Sequence, residues 1–258
     1  MHDSVATFAL RETPLEALGN SLGRSFAEYS ASHGQAMFIA GFARDASVAG
    51  VSAILADRIC DAMGVAEELR ILHWTEIKSK SNRDIASDIA EHQLGVADYG
   101  AKFAAIVILH NACEQFLHRL LRFGLVTNRT KALEWIAEQH VSISEIVAND
   151  VEALIDDRLE KWWRGLERAS VMKKFDKLIA LMGYPAQLQD KVWHFDRDML
   201  SHFDEIRHNA VHRDGSGVRP FNLDEFAEQL RRALLVWVVH VAEKLQLQIP
   251  AEVFFGLR

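Results

Sequence analysis

Apolar residues recur every three or four positions along almost the whole of this chain. The spacing is clearest in residues 104–121, AAIVILHNACEQFLHRLL. A helix places such positions on one face, whereas a half-buried strand needs apolar residues at every second position, a pattern that is nearly absent here. Only 4 prolines and 14 glycines occur in 258 residues, so few residues of the types that end helices are present. The sequence therefore predicts an all-α protein.

The periodic segments also predict where the helices lie. In the first part of the chain we expect helices over residues 13–32, 35–63, 65–78 and 82–93. A longer and more apolar helix begins near Asp98 and ends at Gly124, a residue type favoured just after a helix C-terminus. Further helices are expected over residues 130–140, 143–168, 170–182, 186–211 and 223–247. The change in character at Asp98 indicates an N-terminal helical extension, residues 1–97, packed on a helical bundle, residues 98–258.

Composition excludes several classes of protein. The two cysteines, Cys60 and Cys113, lie far apart and form no CxxC pair, which argues against a disulfide framework and a thiolate zinc site. No apolar run approaches the roughly 18 residues that a membrane span needs. The N-terminal residues lack the basic and then apolar layout of a signal peptide. We therefore expect a cytoplasmic protein that does not associate with membranes.

The charge balance is acidic overall but uneven along the chain. The 29 Lys and Arg residues against 36 Asp and Glu residues give a net charge of −7 at pH 7. This balance argues against a protein whose whole surface is basic and binds nucleic acid through it. Residues 1–97 carry 8 basic and 13 acidic residues, whereas residues 98–248 carry 20 and 22. Most of the acidity therefore lies in the extension, and a small basic groove elsewhere remains compatible with the total.

Three residues of the long apolar segment have the spacing of metal ligands. His110, Glu114 and His118 are four residues apart and would share one helix face. Two imidazoles and a carboxylate are good transition-metal ligands, but the same spacing is also found in the polar stripe of an amphipathic helix. Because the sequence contains no HExxH and no further ligand cluster, we favour the polar stripe and expect no metal.

A second polar segment contains Arg207 and His212, two residues whose side chains can together act on a phosphodiester. A guanidinium is a permanent cation that fits phosphate oxygens and can stabilise a pentacovalent phosphorane. An imidazole can remove a proton from a ribose 2′-hydroxyl or donate one to a leaving 5′-oxygen. Helix positions five apart differ by about 140°. The two side chains therefore converge only if the helix frays near His212 or if a second copy of the segment completes the site.

The spacing of this pair is not specific by itself. With 19 arginines and 12 histidines in 258 residues, about one Arg-x4-His pair is expected by chance. Arg197 and His202 form a second pair of the same spacing. The residues around each pair must therefore distinguish them.

The context of Arg207 and His212, EIRHNAVHRDG, resembles the signature of HEPN domains, named for nucleotide-binding proteins of higher eukaryotes and prokaryotes. In that motif an arginine is followed by a polar residue, three further residues and a histidine, often shortly before a glycine turn. His208 takes the polar position, where asparagine is more frequent, and Gly215 supplies the turn. Arg197 and His202 lack both the leading Glu-Ile and the trailing glycine.

The order of the predicted helices is also similar to that of HEPN domains. These resemble bundles of four or five helices in which an early apolar helix bears an acidic or amide residue directed at the motif. Glu114 takes that position in this sequence. The resemblance covers about residues 98–248, with an inserted helical segment at about 128–168, and does not cover residues 1–97.

The resemblance implies a metal-independent endoribonuclease that cleaves RNA without a cofactor. Arg207 would lie at the scissile phosphate and His212 would act as general acid or base, with His208, Glu114, Asn209 and Arg213 as supporting or substrate-binding residues. Such proteins usually form homodimers in which two motifs face one another. Many serve as toxins with an antitoxin partner or as anti-phage defence effectors. The family also contains non-catalytic scaffolds, sensors and nucleotide- or RNA-binding modules, and this alternative stays open.

Each of these residues also has a purely structural interpretation. Arg207 could form an ion pair with Asp204 or Glu205, and His208 and His212 could be a surface pair in the last turn of a helix. Arg213 and Arg219 would then be solvated loop residues. A second candidate feature, Trp162 and Trp163 beside basic residues, fits base stacking, although tryptophans at helical spacing more often belong to a core.

Overall fold

The computed structural model describes residues 15–48, 50–68, 81–137, 150–189, 197–212, 218 and 221–254. The helices are α1 Leu15–Val48, α2 Val51–Glu68, α3 Asn82–Thr127, α4 Arg129–Ile136, α5 Val151–Gly165, α6 Val171–Met182, α7 Arg197–His212, α8 Leu223–Leu245 and α9 Ala251–Phe254, with a 3₁₀ turn at Ala186–Gln189. No strand occurs within these ranges, which confirms the all-α prediction.

The longest element, α3, is one continuous helix of 46 residues. At 1.5 Å per residue it is about 69 Å long. It begins at a capping box in which the Ser81 hydroxyl accepts from the Asp84 amide and the Asp84 carboxylate accepts from the Ser81 amide. The sequence predicted two helices here, over 82–93 and from Asp98, so the boundary between residues 97 and 98 lies inside a single helix.

The predicted end of this helix at Gly124 is wrong, because α3 continues to Thr127. Gly124 is buried where α6 crosses α3, and a Cβ at this position would lie 3.0 Å from the Leu181 Cδ1 atom. The glycine therefore permits close packing of two helices rather than ending one of them.

The first helix is also longer than the sequence predicted. A break was expected between residues 32 and 35, but α1 is continuous through Gly34 and ends at Val48. The chain turns instead at Gly50, which has a φ of +78° that favours glycine. Residues 13 and 14, the predicted start of the helix, lie outside the described residues.

One core connects both parts of the chain. Buried side chains of α1, α3, α6, α7 and α8 belong to a single cluster, represented by Leu22, Phe116, Phe175, Phe203 and Trp237. Helix α1 therefore packs on the bundle and is not a tethered module. A separate small cluster joins α2 to the N-terminal part of α3 through Ala56, Met63, Ala86 and Ala90.

The predicted insertion at 128–168 includes α4 and α5, which pack against each other. Arg129 connects the two helices by binding Glu152 at 2.7 Å and Asp156 at 2.9 Å. None of the helices described for this chain combines the length and the apolar character needed to cross a membrane.

Candidate functional site

The Arg-x4-His motif lies in the second half of α7. This helix forms because Phe203, Ile206 and Ala210 recur on one face and are all buried in the core. Arg207 follows Ile206 at the edge of that face, and His212 is the last residue of the helix. The side chain of His212 and all of Arg213 and Gly215 lie outside the described residues.

Arg207 is half-buried, and no ion pair within the described part of the chain neutralises it. Its Nε atom is buried and has no hydrogen-bond partner among the described residues. No described carboxylate lies within ion-pair distance of the guanidinium, so the alternative pairing with Asp204 or Glu205 does not occur there. A guanidinium keeps its charge at every physiological pH. Its positive charge therefore remains for another ligand.

Asp204 instead binds a residue of α3. The Nε2 atom of His110 lies 2.9 Å from the Asp204 Oδ1 atom, and the His110 side chain is only 3% exposed. Its ring packs against the ring of Phe203, with 5.3 Å between centroids. This contact joins residues 94 positions apart and fixes α7 against α3 one turn before Arg207.

His110 is held in its neutral form. Burial lowers the pKa of His110, the hydrogen bond that its ring donates to Asp204 partly offsets this effect, and the charge of Arg207 lowers the pKa further. A neutral imidazole that binds a carboxylate through Nε2 must carry its proton there, so Nδ1 is an acceptor. That Nδ1 atom is buried and has no partner among the described residues. Within the described residues, an acceptor at His110 and a donor at Arg207 therefore lie near each other without a hydrogen-bond partner.

Glu114, the acidic residue expected to support the motif, binds a different helix. Its Oε1 atom accepts a hydrogen bond of 2.7 Å from the Nζ atom of Lys174 in α6, a side chain that is 2% exposed. Lys174 also donates to the carbonyl oxygen of Glu167 at 2.8 Å. A residue of α3 that does bind the motif helix is His110, one turn earlier, which the sequence interpretation had weighed as a metal ligand or as part of the polar stripe of the helix.

His118, the third of the residues that were considered as metal ligands, has yet another partner. Its ring stacks on Trp163 with 4.4 Å between centroids, and the Trp163 indole donates to the His118 carbonyl oxygen at 2.8 Å. His110, Glu114 and His118 therefore contact three different elements, α7, α6 and α5. No group of three or more potential ligands that could hold a metal ion is present in the described part of the chain.

The remaining predicted site residues lie on the outer part of α7. His208 is exposed and precedes His212 by one helical turn, while Asn209 is half-buried. The structure therefore brings Arg207, Asp204 and His110 together, and leaves His208 exposed and Asn209 half-buried on the same helix. Sequence reasoning missed the His110 contact because nothing in a local pattern relates residues so far apart.

The second pair of the same spacing has a different environment. The Arg197 guanidinium binds Asp176 of α6 at 3.1 Å, and the His202 ring lies edge-on to Phe221 at 6.3 Å. Both side chains of this pair are exposed and each already has a partner on another part of the chain. The two Arg-x4-His pairs thus differ in geometry as they do in sequence context.

The chemistry available at the motif is that of anion binding and proton transfer. A half-buried, unneutralised guanidinium binds phosphate oxygens strongly because both partners are charged. A histidine at a helix end near such a phosphate can take a proton from a neighbouring sugar hydroxyl or give one to a leaving sugar oxygen. Comparisons with protein-family models, with curated proteins and with solved structures find no match to this chain.

Proposed function

We propose that this protein is a metal-independent endoribonuclease of the HEPN type. The observation that carries the proposal is the state of Arg207, half-buried beside a neutral histidine and without a carboxylate partner in the described residues. A buried arginine usually has a counterion, because leaving its charge unpaired costs several kcal/mol, about 3–5 when a partner is removed. A phosphate of the substrate would supply that counterion.

The proposed reaction is transesterification of RNA. His212 removes the proton of a ribose 2′-hydroxyl, and the 2′-oxygen attacks the adjacent phosphorus. The bond from phosphorus to the 5′-oxygen breaks, and that oxygen leaves with a proton returned by a histidine. Arg207 stabilises the negative charge of the pentacovalent phosphorane. The products are a 2′,3′-cyclic phosphate and a 5′-hydroxyl.

The contact between His110 and Asp204 supports this role of Arg207. It occupies the carboxylate that lies one helical turn before Arg207 and would otherwise compete for the guanidinium. Because His110 is neutral, it adds no positive charge that would repel Arg207. The pair therefore positions α7 and leaves the arginine charge for the substrate.

We propose further that two copies of the chain combine their motifs. Arg207 and His212 point about 140° apart on an ideal helix, so one copy does not easily present both to one phosphate. In a homodimer whose motifs face one another, the arginine of each copy could serve with the histidine of its partner. A toxin or anti-phage effector controlled by an antitoxin is the biological role that this activity fits.

Incubation of the purified protein with several RNAs in EDTA tests the proposal. We expect fragments that end in 2′,3′-cyclic phosphate or 3′-phosphate, and we expect Arg207→Ala and His212→Ala to slow cleavage by at least about 100-fold. Induced expression in bacteria should arrest growth, and either substitution should relieve the arrest.

Arg197→Ala and His202→Ala are matched controls, because they alter the pair of identical spacing in the same helix. Both variants should retain activity. The enzymatic proposal fails if the wild-type protein and His212→Ala are equally inert on all RNAs, and a non-catalytic scaffold, sensor or binding module would then be the better interpretation.

A further inference from the structure

Two helices outside the motif bring three lysines together around a pair of tryptophans. Lys131 and Trp135 lie one turn apart on α4, and Lys173 and Lys177 lie one turn apart on α6. The Lys177 Nζ atom is 3.9 Å from the ring centroid of Trp135 and 5.9 Å from that of Trp162 in α5. The two indole rings stack with 4.9 Å between centroids. We call these five residues the Lys-Trp surface.

The lysines of this surface repel one another. Burial lowers the pKa of Lys177, and the charges of Lys173 and Lys131 lower it further. No ion pair joins Lys131, Lys173 or Lys177 to a carboxylate in the described part of the chain. An anion bound among them would relieve the repulsion.

Other lysines of the same region are neutralised. Lys161, on the same helix as Trp162, binds Asp157 at 2.7 Å, and Lys174, next to Lys173, binds Glu114. The lack of ion pairs at the three lysines within the described part of the chain therefore does not reflect a general shortage of carboxylates on these helices.

We infer that the Lys-Trp surface binds single-stranded RNA, with backbone phosphates at Lys131, Lys173 and Lys177 and a base against the accessible part of the Trp135 and Trp162 indoles, which are partly buried against the core. Single strands combine a phosphate chain with unstacked bases, and proteins bind them with positive grooves that contain aromatic side chains. The inference rests on the proposed function in so far as RNA is the substrate. It gives the substrate a second contact, away from Arg207.

Single-stranded RNA fits this surface better than an acidic peptide or an anionic membrane does. The carboxylates of an acidic peptide or the head groups of anionic lipids would bind the lysines, but they would make no stacking contact with the two indoles. Lysine binds phosphate as a point charge, so the geometry required of the ligand is loose and its sequence is not selected. The surface is therefore expected to add affinity without base specificity.

Fluorescence polarisation with labelled single-stranded RNA of about 12 nucleotides tests the inference. The measurements use the full chain carrying His212→Ala, so that binding is read without cleavage. We expect the triple variant Lys131→Gln, Lys173→Gln and Lys177→Gln to bind at least about tenfold more weakly. The slope of log affinity against log salt should fall by about 2 in magnitude, at about 0.7 for each lost phosphate contact on a single strand.

Two controls distinguish binding at the Lys-Trp surface from a general electrostatic attraction between RNA and the lysines of the protein. Lys161→Gln removes a neighbouring exposed lysine that is already paired, and it should leave RNA affinity within about twofold of the parent. An abasic oligonucleotide of equal length keeps the phosphates and removes the bases, and it should bind about tenfold more weakly than RNA.

Several results would overturn the inference. One is that the triple variant and its parent bind RNA with equal affinity. Another is that the protein binds RNA and the abasic strand equally well. A third is that polyglutamate or phosphatidylcholine–phosphatidylserine vesicles bind as tightly as RNA and depend on the same lysines. The proposed function is judged separately by cleavage. If the wild-type protein cleaves no RNA but the lysines are needed for RNA binding, the Lys-Trp surface stands while the enzymatic proposal fails.

Discussion

At the scale of single residues, His118 shows how burial sets a charge state. Its ring stacks on Trp163, and burial lowers its pKa from 6.5 to about 4. The charge of Lys174 acts in the same direction, and Arg119 contributes less, whereas Glu167 and Glu114 act against the shift. The imidazole is therefore neutral in the folded protein at neutral pH, and unfolding restores its ordinary pKa.

This shift predicts a loss of stability in acid. Between pH 6.5 and about 4 the unfolded chain binds a proton at His118 that the folded chain does not, so the free energy of unfolding falls as the pH falls through that window. Since the side chain is partly exposed, we expect His118 to account for about 2 kcal/mol. His118→Phe keeps an aromatic ring on Trp163 and removes the titration. Above pH 7 this part of the stability is fully present.

Urea denaturation of the wild-type protein and His118→Phe at several pH values measures the effect. The two stabilities should differ by a nearly constant amount above pH 7 and approach one another or cross as the pH falls towards 4. His33 and His110, whose pKa values are also lowered by burial, titrate in both proteins and cancel in the comparison. A parallel pH dependence in the two proteins, or an NMR titration of His118 near 6.5, would contradict the prediction.

Residue contacts near the motif could be predicted only in part. The Arg-x4-His pattern and its context identified Arg207 and His212 as candidates from the sequence. Whether Arg207 pairs with a carboxylate was not predictable, because Asp204 and Glu205 lie only three and two residues before it along the chain. The packing of α7 on α3 pairs Asp204 with His110, and no other carboxylate of the described residues lies within ion-pair distance of Arg207.

At the scale of helices, apolar periodicity located most elements but placed several boundaries wrongly. The main errors were a helix end predicted at Gly124, a break predicted between residues 32 and 35, and one helix predicted over 35–63. Gly34 and Gly124 lie inside helices, whereas Gly50, with its positive φ, is at a true turn. A local pattern cannot separate these cases, because the role of Gly124 depends on Leu181 in another helix.

Two glycines of α1 give a matched pair of substitutions. A Cβ at Gly34 would meet no atom within 4 Å, whereas a Cβ at Gly19 would lie 2.1 Å from the backbone oxygen of Gln248. Gly34→Ala should raise the free energy of unfolding by about 1 kcal/mol, because alanine has the higher helix propensity. Gly19→Ala should lower it by about 1–3 kcal/mol, because the C-terminal segment must move away.

Thermal and urea unfolding of the two variants measures whether the free energy of unfolding rises in Gly34→Ala and falls in Gly19→Ala. A loss of stability in Gly34→Ala would mean that the chain breaks near residue 34, as the sequence had predicted, since only a broken helix would need the glycine there. An unchanged stability in Gly19→Ala would mean that Gln248 does not pack closely on α1.

At the scale of the whole molecule, the core does not follow the change in composition at Asp98. That change divides an acidic extension from a more apolar segment, but α3 runs through it and α1 shares the core of the bundle. Phe26 of α1 is 4% exposed and lies against Phe116 of α3 and Phe254 of α9, with 6.0 Å and 4.9 Å between ring centroids. Long-range packing of this kind leaves no local mark in the sequence.

Phe26→Ala tests whether the two parts unfold together. Because the cavity opens in the shared core, the free energy of unfolding of the whole chain should fall by about 3–5 kcal/mol. Phe38→Ala, which truncates a side chain of the same helix that is 72% exposed, should change it by no more than about 0.5 kcal/mol. Circular dichroism reports all helices, whereas fluorescence reports mainly the bundle, because five of the six tryptophans follow residue 97. In Phe26→Ala we expect the circular dichroism and fluorescence transitions to shift by the same amount. If the extension unfolded independently, the circular dichroism signal would change in two steps and the fluorescence transition would stay where it is in the wild-type protein.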